Sequence, residues 1–282
     1  MPADTLLGAE PLVRFGAFLG VFAAVALWEA AAPRRDRAFA RRARWPHNLG
    51  LLLVDAAVLR VVAPGVAIAV ALAAEAQGFG LLNAVTLPPW AAIALAVALL
   101  DLAVYFQHVV FHAVPALWRL HRVHHADLDF DVTTGTRFHP VEILVSMAIK
   151  SAAVAAIGAP ALAVLLFEVT LNATAMFNHA NARLPLAADR WLRWLVVTPD
   201  MHRVHHSVRR DETNSNFGFN LPWWDRLFGT YRAQPAAGHA AMTIGLEAFR
   251  APSDLRLDQL LVQPLRDDSP GGYAIDRRGE AR

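Results

Sequence analysis

The sequence predicts an all-α integral membrane protein, a helical bundle carrying a histidine-rich helical cap on its cytoplasmic side. Three observations lead there. The 282 residues are 56% hydrophobic and only 18% charged, with a mean hydropathy of +0.34, too apolar for a water-soluble domain. Apolar runs long enough to cross a hydrocarbon core of about 30 Å recur along the chain. Nine of the twelve histidines fall in four short places, most of them at helical spacing. The formal charge of +2 and the pI near 9.5 do not point to nucleic acid, because the basic residues cluster beside apolar spans, as orientation signals do. With no cysteine, the chain excludes disulfides, thiolate-ligated haem, cysteine-held iron–sulfur clusters and thiol nucleophiles.

The first span is read at residues 11–32; it lacks the basic leader and small-residue cleavage site of a removed signal. The basic block that follows, Arg34, Arg35, Arg37, Arg41, Arg42 and Arg44, predicts a cytoplasmic loop and an external N-terminus. A second span over 49–74 returns outward, with Pro64-Gly65 as a kink and Asp55 and Arg60 facing protein or pairing. Residues 77–89 form an outer loop, and a third span over 90–111 runs inward. Asp101, Tyr105, His108 and His112 lie at i, i+4, i+7 and i+11, one stripe of that helix. Asp101 is read either as a polar helix contact or as a carboxylate that orients His108 or its neighbour.

Pro115 opens a helix bearing His121, His124 and His125 at i, i+3 and i+4, which share one face. An acidic turn-like stretch, Asp127 to Gly135, ends it. His139 stands alone in Arg137-Phe138-His139-Pro140-Val141-Glu142 and reads as a hydrogen-bonding residue. Residues 141–157 and 161–176, divided by Gly158-Ala159-Pro160, predict a hairpin that brings His179 back to the cytoplasmic side. Glu168, Asn172 and His179 repeat the earlier stripe at i, i+4 and i+11. The run Asp189–Leu195 mixes arginines and tryptophans, as interfacial helices do. Thr198 is predicted to cap, Pro199 to take the first turn and Asp200 to complement the dipole of the helix carrying His202, His205 and His206, the second copy of the triad.

The stretches 214–218 and 221–231 read as an aromatic structural segment beneath the site. His47 and His239 read as ordinary residues without partners, and the tail from Asp267 as polar and disordered. The chain divides into spans and basic loop (1–89), a histidine-bearing domain (90–232) and a partly disordered extension (233–282).

His108, His112, His121, His124, His125, His179, His202, His205 and His206 are thus candidate metal ligands. Nine imidazoles exceed one ion, since zinc takes about four ligands or fewer and two octahedral ions offer roughly twelve positions. Imidazole suits iron, and open positions leave room for oxygen. The Glu and Glu-x-x-His ligands of soluble di-iron bundles are missing.

His108-x3-His112, His121-x2-His124-His125, His179 and His202-x2-His205-His206, followed by Trp224-Asp225-Arg226-Leu227-Phe228-Gly229-Thr230, resemble the fatty acid hydroxylase / sterol desaturase superfamily over about residues 90–232. Asn178-His179-Ala180-Asn181 through Thr198-Pro199 is similar to alkylglycerol monooxygenase, and the segment around His139 to the sterol-oxidase branch. The resemblance implies two non-haem Fe ions, O2 as cosubstrate, and hydroxylation, desaturation or ether cleavage at a lipid C–H bond, with no catalytic side chain beyond the metal centre. It raises His139 to a residue that orients a ligand or adds one, beside Asp101, Glu168 and Asn172. Lacking cysteine and a haem domain, the chain is expected to draw electrons from a separate donor of ferredoxin, cytochrome or reductase type. It is expected in a bacterial inner membrane or its equivalent. The rivals are a membrane zinc hydrolase, predicting oxygen-independent activity, and a non-enzymatic metal-binding membrane protein, which as a transporter needs ligands strung across the bilayer.

Overall fold

The computed structural model describes residues 3–267; the expected disorder of the tail beyond Asp267 lies outside them. All regular structure among the described residues is helical apart from two isolated bridges. A short α1 (Ala3–Gly8) leads into α2 (Glu10–Ala31), and then come α3 (Arg41–Val62), α4 (Val66–Ala76), α5 (Pro89–Ala113) and α6 (Pro115–His125). The hairpin is α7 (Pro140–Ile157) and α8 (Ala161–Asn178); the shorter α9 (Leu186–Leu192), α10 (Pro199–His205), α11 (Arg210–Thr213), α12 (Trp223–Leu227), α13 (Gly238–Ala241) and α14 (Leu257–Val262) build the cap. Five segments, 10–31, 41–84, 89–113, 140–157 and 161–178, are long and apolar enough to cross a membrane.

Helix boundaries follow local chemistry. Proline occupies the first turn of α5, α6, α7 and α10, where its missing N–H costs nothing. The expected kink at Pro64-Gly65 is a full break: Gly65 takes φ +62° and separates α3 from α4. At the hairpin, Gly158 ends α7 with φ +69°. A Cβ on Gly80 would lie 2.4 Å from the Gly158 backbone nitrogen, so only glycine lets the α4–α5 loop close on that turn. The core between α4, α5, α7 and α8 is aliphatic and aromatic, with Leu100, Val154, Val164 and Phe167 buried. Exposed Leu12, Phe15, Leu27, Leu53 and Val61 turn outward, as lipid-facing positions do.

The basic block is tied into the interior of the protein. Arg44 is completely buried: it donates to both oxygens of Asp127 at 2.7 and 2.6 Å and to Asp131 at 2.6 Å. Arg34 reaches Asp200 at 3.0 Å, and Ala38 and Phe39 donate backbone N–H groups to Asp129. The acidic turn-like stretch is thus an interior ionic layer, with Asp127, Asp129 and Asp131 all buried. It clamps the 32–44 segment onto the end of α6. Arg137 completes it, donating to the Val123 carbonyl at 2.7 Å. Burial raises the Asp127 carboxyl, but Arg44 and Arg137 overcome that and hold it well below the usual range.

His239 is buried and makes no hydrogen bond among the described residues, its Nε2 standing 3.6 Å from the Asp200 carboxylate, and burial outweighs that attraction and lowers its pKa to about 4. Asp55 faces protein, one of the two expected outcomes, while Arg60 is exposed and does not pair with it. Residues 252–267 lie back over the cap, where Arg119 and Arg122 donate to the carbonyls of Pro264 and Gln263 at 2.7 Å.

Candidate metal centre

The four histidine-bearing pieces meet at one end of the bundle. The end of α5 brings His108 and His112, α6 brings His121, His124 and His125, the residue after α8 is His179, and α10 with its C-cap brings His202, His205 and His206. Thr198 caps α10 as expected, accepting from the Met201 N–H, and Pro199 and Asp200 fill its first turn.

The nine rings sort into two sets, His108, His112, His121, His125 and His205 in one, and His124, His179, His202 and His206 in the other. Each triad is thus shared between the sets, and every ring is buried. In the first set Nε2 of His108 lies 3.1 Å from that of His121 and 3.0 Å from that of His205, and His112 and His125 are 3.1 Å apart. In the second, His179 Nε2 is 3.1 Å from each of His124, His202 and His206.

The approaches of His108 to His121 and to His205 are not hydrogen bonds between rings. Nδ1 of His108 faces the Phe217 carbonyl at 2.8 Å, that of His205 the Ser215 carbonyl at 2.7 Å, and that of His179 the Ala175 carbonyl at 2.7 Å. His121 Nδ1 meets Glu142 Oε1 at 2.6 Å. A carbonyl or carboxylate demands the N–H on Nδ1, so the Nε2 atoms of His108, His121, His179 and His205 present lone pairs to the centre of their set. Such pairs repel unless a cation lies between them. The imidazolium of His124, His125, His202, His205 and His206 is disfavoured first by desolvation and then by neighbouring rings, so each pKa falls well below the ordinary 6.5. Neutral, dry, convergent imidazoles are a metal-ligand set.

Five nitrogens in one set exceed the four or fewer that zinc takes, and an octahedral ion held by either set would keep open positions.

The other candidates from the sequence are engaged elsewhere. Asp101 accepts from the N–H groups of Asn220 and Leu221 at 3.3 and 3.2 Å and from Trp224 Nε1 at 2.8 Å. It anchors the segment whose Phe217 carbonyl holds His108, without touching the ring. His139 caps α7, with Nδ1 accepting from Val141 N–H at 3.2 Å and Nε2 donating to the Leu261 carbonyl at 3.1 Å. Both its nitrogens are used. Glu168 binds Arg14 and Lys150, and Asn172 donates to the Glu168 carbonyl at 2.9 Å.

Sequence reasoning assigned no role to Glu142, which sits on another helix from the ring it holds. Its only local signal was an acid in the first turn of an apolar span. Asn214, whose Oδ1 lies 3.1 Å from His112 Nδ1, was likewise absorbed into the aromatic segment. That segment does pack under the site, with Phe217 5.5 Å from the rings of both His108 and His205. Asp225 ties it down by accepting from the Phe217 and Gly218 N–H groups and the Thr230 hydroxyl.

A cavity of about 360 Å³ opens from the first set into the bundle. His108 and His121 stand in its wall, and Phe18, Leu59, Val104, Met147 and Leu171 supply apolar surface.

Residues 93–230, just under half of the chain, match the fatty acid hydroxylase family. It is 29% identical over 143 residues to an ornithine lipid hydroxylase, OlsE, of Rhizobium tropici, covering 51% of this chain and 42% of that protein. It is 28% identical over 139 residues to alkylglycerol monooxygenase of Homo sapiens (48% of this chain, 29% of that protein). To cholesterol 25-hydroxylase of Rattus norvegicus it is 26% identical over 141 residues, 49% of this chain and 45% of the relative. The matched region spans less than half the length of each of these relatives. No solved structure is significantly similar to the chain.

Proposed function

We propose that the protein is a membrane-bound non-haem di-iron oxygenase that hydroxylates or desaturates a lipid C–H bond with O2 and external electrons. The observation that carries this reading is the pairing of two convergent imidazole sets with an apolar chamber whose wall includes two of their rings. A metal transporter needs ligands along a path, and these are gathered at one end. A zinc hydrolase site takes four ligands or fewer, and the five-histidine set on the chamber wall exceeds that.

In this reading His108, His112, His121, His125 and His205 hold one iron, and His124, His179, His202 and His206 hold the other. When bound, the iron pair supplies the activation of O2 and the oxidation of the C–H bond. The chain's own part is positional. The chamber's apolar wall aligns a hydrocarbon against His108 and His121, and the surrounding helices keep water from the reacting end. Glu142 fixes the orientation of His121 and raises its donor strength. The Phe217, Ser215 and Ala175 carbonyls do the same for His108, His205 and His179. No side chain need act as a nucleophile.

The lipid class follows the relatives' names only as far as a lipid or sterol. Electrons come from a separate donor of ferredoxin, cytochrome or reductase type. The N-terminus lies outside and the metal end faces the cytoplasm of a bacterial inner membrane or its equivalent, in keeping with the arginines from 34 to 44 beside the first span. Lipid profiles of a deletion strain and its complemented parent, grown with and without oxygen, test the function. A lipid one oxygen richer, or two hydrogens poorer, is expected only in the complemented strain under oxygen. Identical profiles in all four cultures would remove the proposal.

A further inference from the structure

The chamber's polar lining is mostly self-satisfied. Glu168 accepts from Arg14 and Lys150, and Arg14 also binds Glu10. Gln107 donates to the Ser146 hydroxyl at 3.0 Å. Two carboxylates break the pattern. Asp55, on the cavity wall and 4% exposed, leaves Oδ1 buried without a hydrogen-bond partner. Glu142, also on the wall, gives Oε1 to His121 and leaves Oε2 buried without one. Arg60, the basic residue nearest to Asp55 in sequence, is exposed off that face. The helices bearing the two acids, α3 and α7, pack against each other.

An ionised carboxylate only accepts hydrogen bonds, and burying one unpaired is costly. Two unpartnered carboxyl oxygens on one wall, in a chamber whose other charged side chains are already paired, define a place for a hydrogen-bonding group. We propose that Asp55, with the free Oε2 of Glu142, anchors a hydrogen-bond-donating group, hydroxyl or ammonium, of an otherwise apolar lipid. This deepens the oxygenase reading and rests on the cavity being its substrate chamber. Because Glu142 also holds His121, the anchored group sits beside the five-histidine set. Oxidation then falls on carbons close to that group rather than far along the chain.

The test is binding to the iron-loaded full chain in detergent, followed by thermal stabilisation, with dodecylamine, 1-dodecanol and dodecane as probes. The wild type is expected to bind the amine or the alcohol about tenfold or more tighter than the alkane. Preference for the amine over the alcohol identifies an ammonium, and equal binding of the two a hydroxyl. Asp55→Leu, which keeps the volume apolar, is expected to bind all three alike while retaining dodecane, showing that fold and chamber survive. Equal binding of all three probes by the wild type, or an undiminished preference in Asp55→Leu, would overturn the anchor while leaving the oxygenase reading intact. If none of the probes binds the wild type, the chamber reading falls and the anchor with it. The assay reads no turnover, so His124→Ala is expected to preserve the preference even where activity is lost.

Discussion

The five-histidine and four-histidine sets are made of the same ring and lie side by side, yet they are held differently. In the larger set, four outward nitrogens find oxygen acceptors: the Phe217 carbonyl for His108, Asn214 for His112, Glu142 for His121 and the Ser215 carbonyl for His205. In the smaller set only His179 has one, the Ala175 carbonyl, while Nδ1 of His124, His202 and His206 is buried without a partner among the described residues. Aromatic walls stand there instead. Phe138 stacks on His124 at 4.6 Å and 8°, and Phe130 packs on His179 and His206. The larger set also contributes His108 and His121 to the chamber wall, where the smaller contributes no ring. The contrast teaches a division of labour: the set on the chamber wall is fixed by hydrogen bonds, and the set behind it mainly by packing.

The largest effect should come from removing the hub of the smaller set. His179 is the one ring within 3.1 Å of three others, so His179→Ala is expected to release one of two irons and leave less than about 1% of turnover. His112→Ala, which takes one ring of five, should keep both irons when iron is in excess. Its affinity is expected to fall by no less than the roughly 10–100-fold typical of losing a ligand-orienting group. Metal analysis after dialysis separates the two variants, and equal losses would erase the distinction.

Glu142→Gln sharpens the same comparison. It should weaken one iron by about 10–100-fold and leave the other unchanged, read as biphasic release to a chelator. Gly135→Ala probes the packed side. A Cβ there would lie 2.6 Å from the Ala175 carbonyl and 3.2 Å from His179 Nδ1. The expected cost is about 1–3 kcal/mol of stability with iron lost first from the four-histidine set, measured by chemical denaturation with parallel metal analysis.

The smallest expected effect is pH-dependent. Burial raises the Asp225 carboxyl to about 6 against its three donors. A folded-state pKa raised above the unfolded 3.8 means that the folded chain binds the proton more tightly. Its stabilising contribution is therefore full below about pH 4 and lost as pH rises through about 6. The stability difference between wild type and Asp225→Asn should shrink over that interval, and a difference that grows would reverse the assignment.

Legibility in the sequence divides along similar lines. The ligands were readable because an i, i+3, i+4 triplet carries its geometry within five residues, and the spans because lipid demands long apolar runs. What orients the ligands was not. The Phe217, Ser215 and Ala175 groups are backbone carbonyls, which leave no side-chain signal. Glu142 lies 21 residues from His121 and on a different helix. The arginines from 34 to 44 carried a membrane-orientation pattern strong enough to hide a second role, because the acids that receive Arg44 are 83 and 87 positions away. Asp101 and Glu168 were visible as acids within spans, but spacing alone cannot tell a carboxylate aimed at a ring from one aimed at a loop or a lysine.

The account stands most directly on what the two imidazole sets bind. X-ray absorption at the iron edge on detergent-purified protein, with iron counted per chain, should show close to two irons. Each should be six-coordinate, with nitrogen and oxygen neighbours near about 2.2 Å. A single four-coordinate zinc with ligands at about 2.0 Å, and no iron, would contradict it.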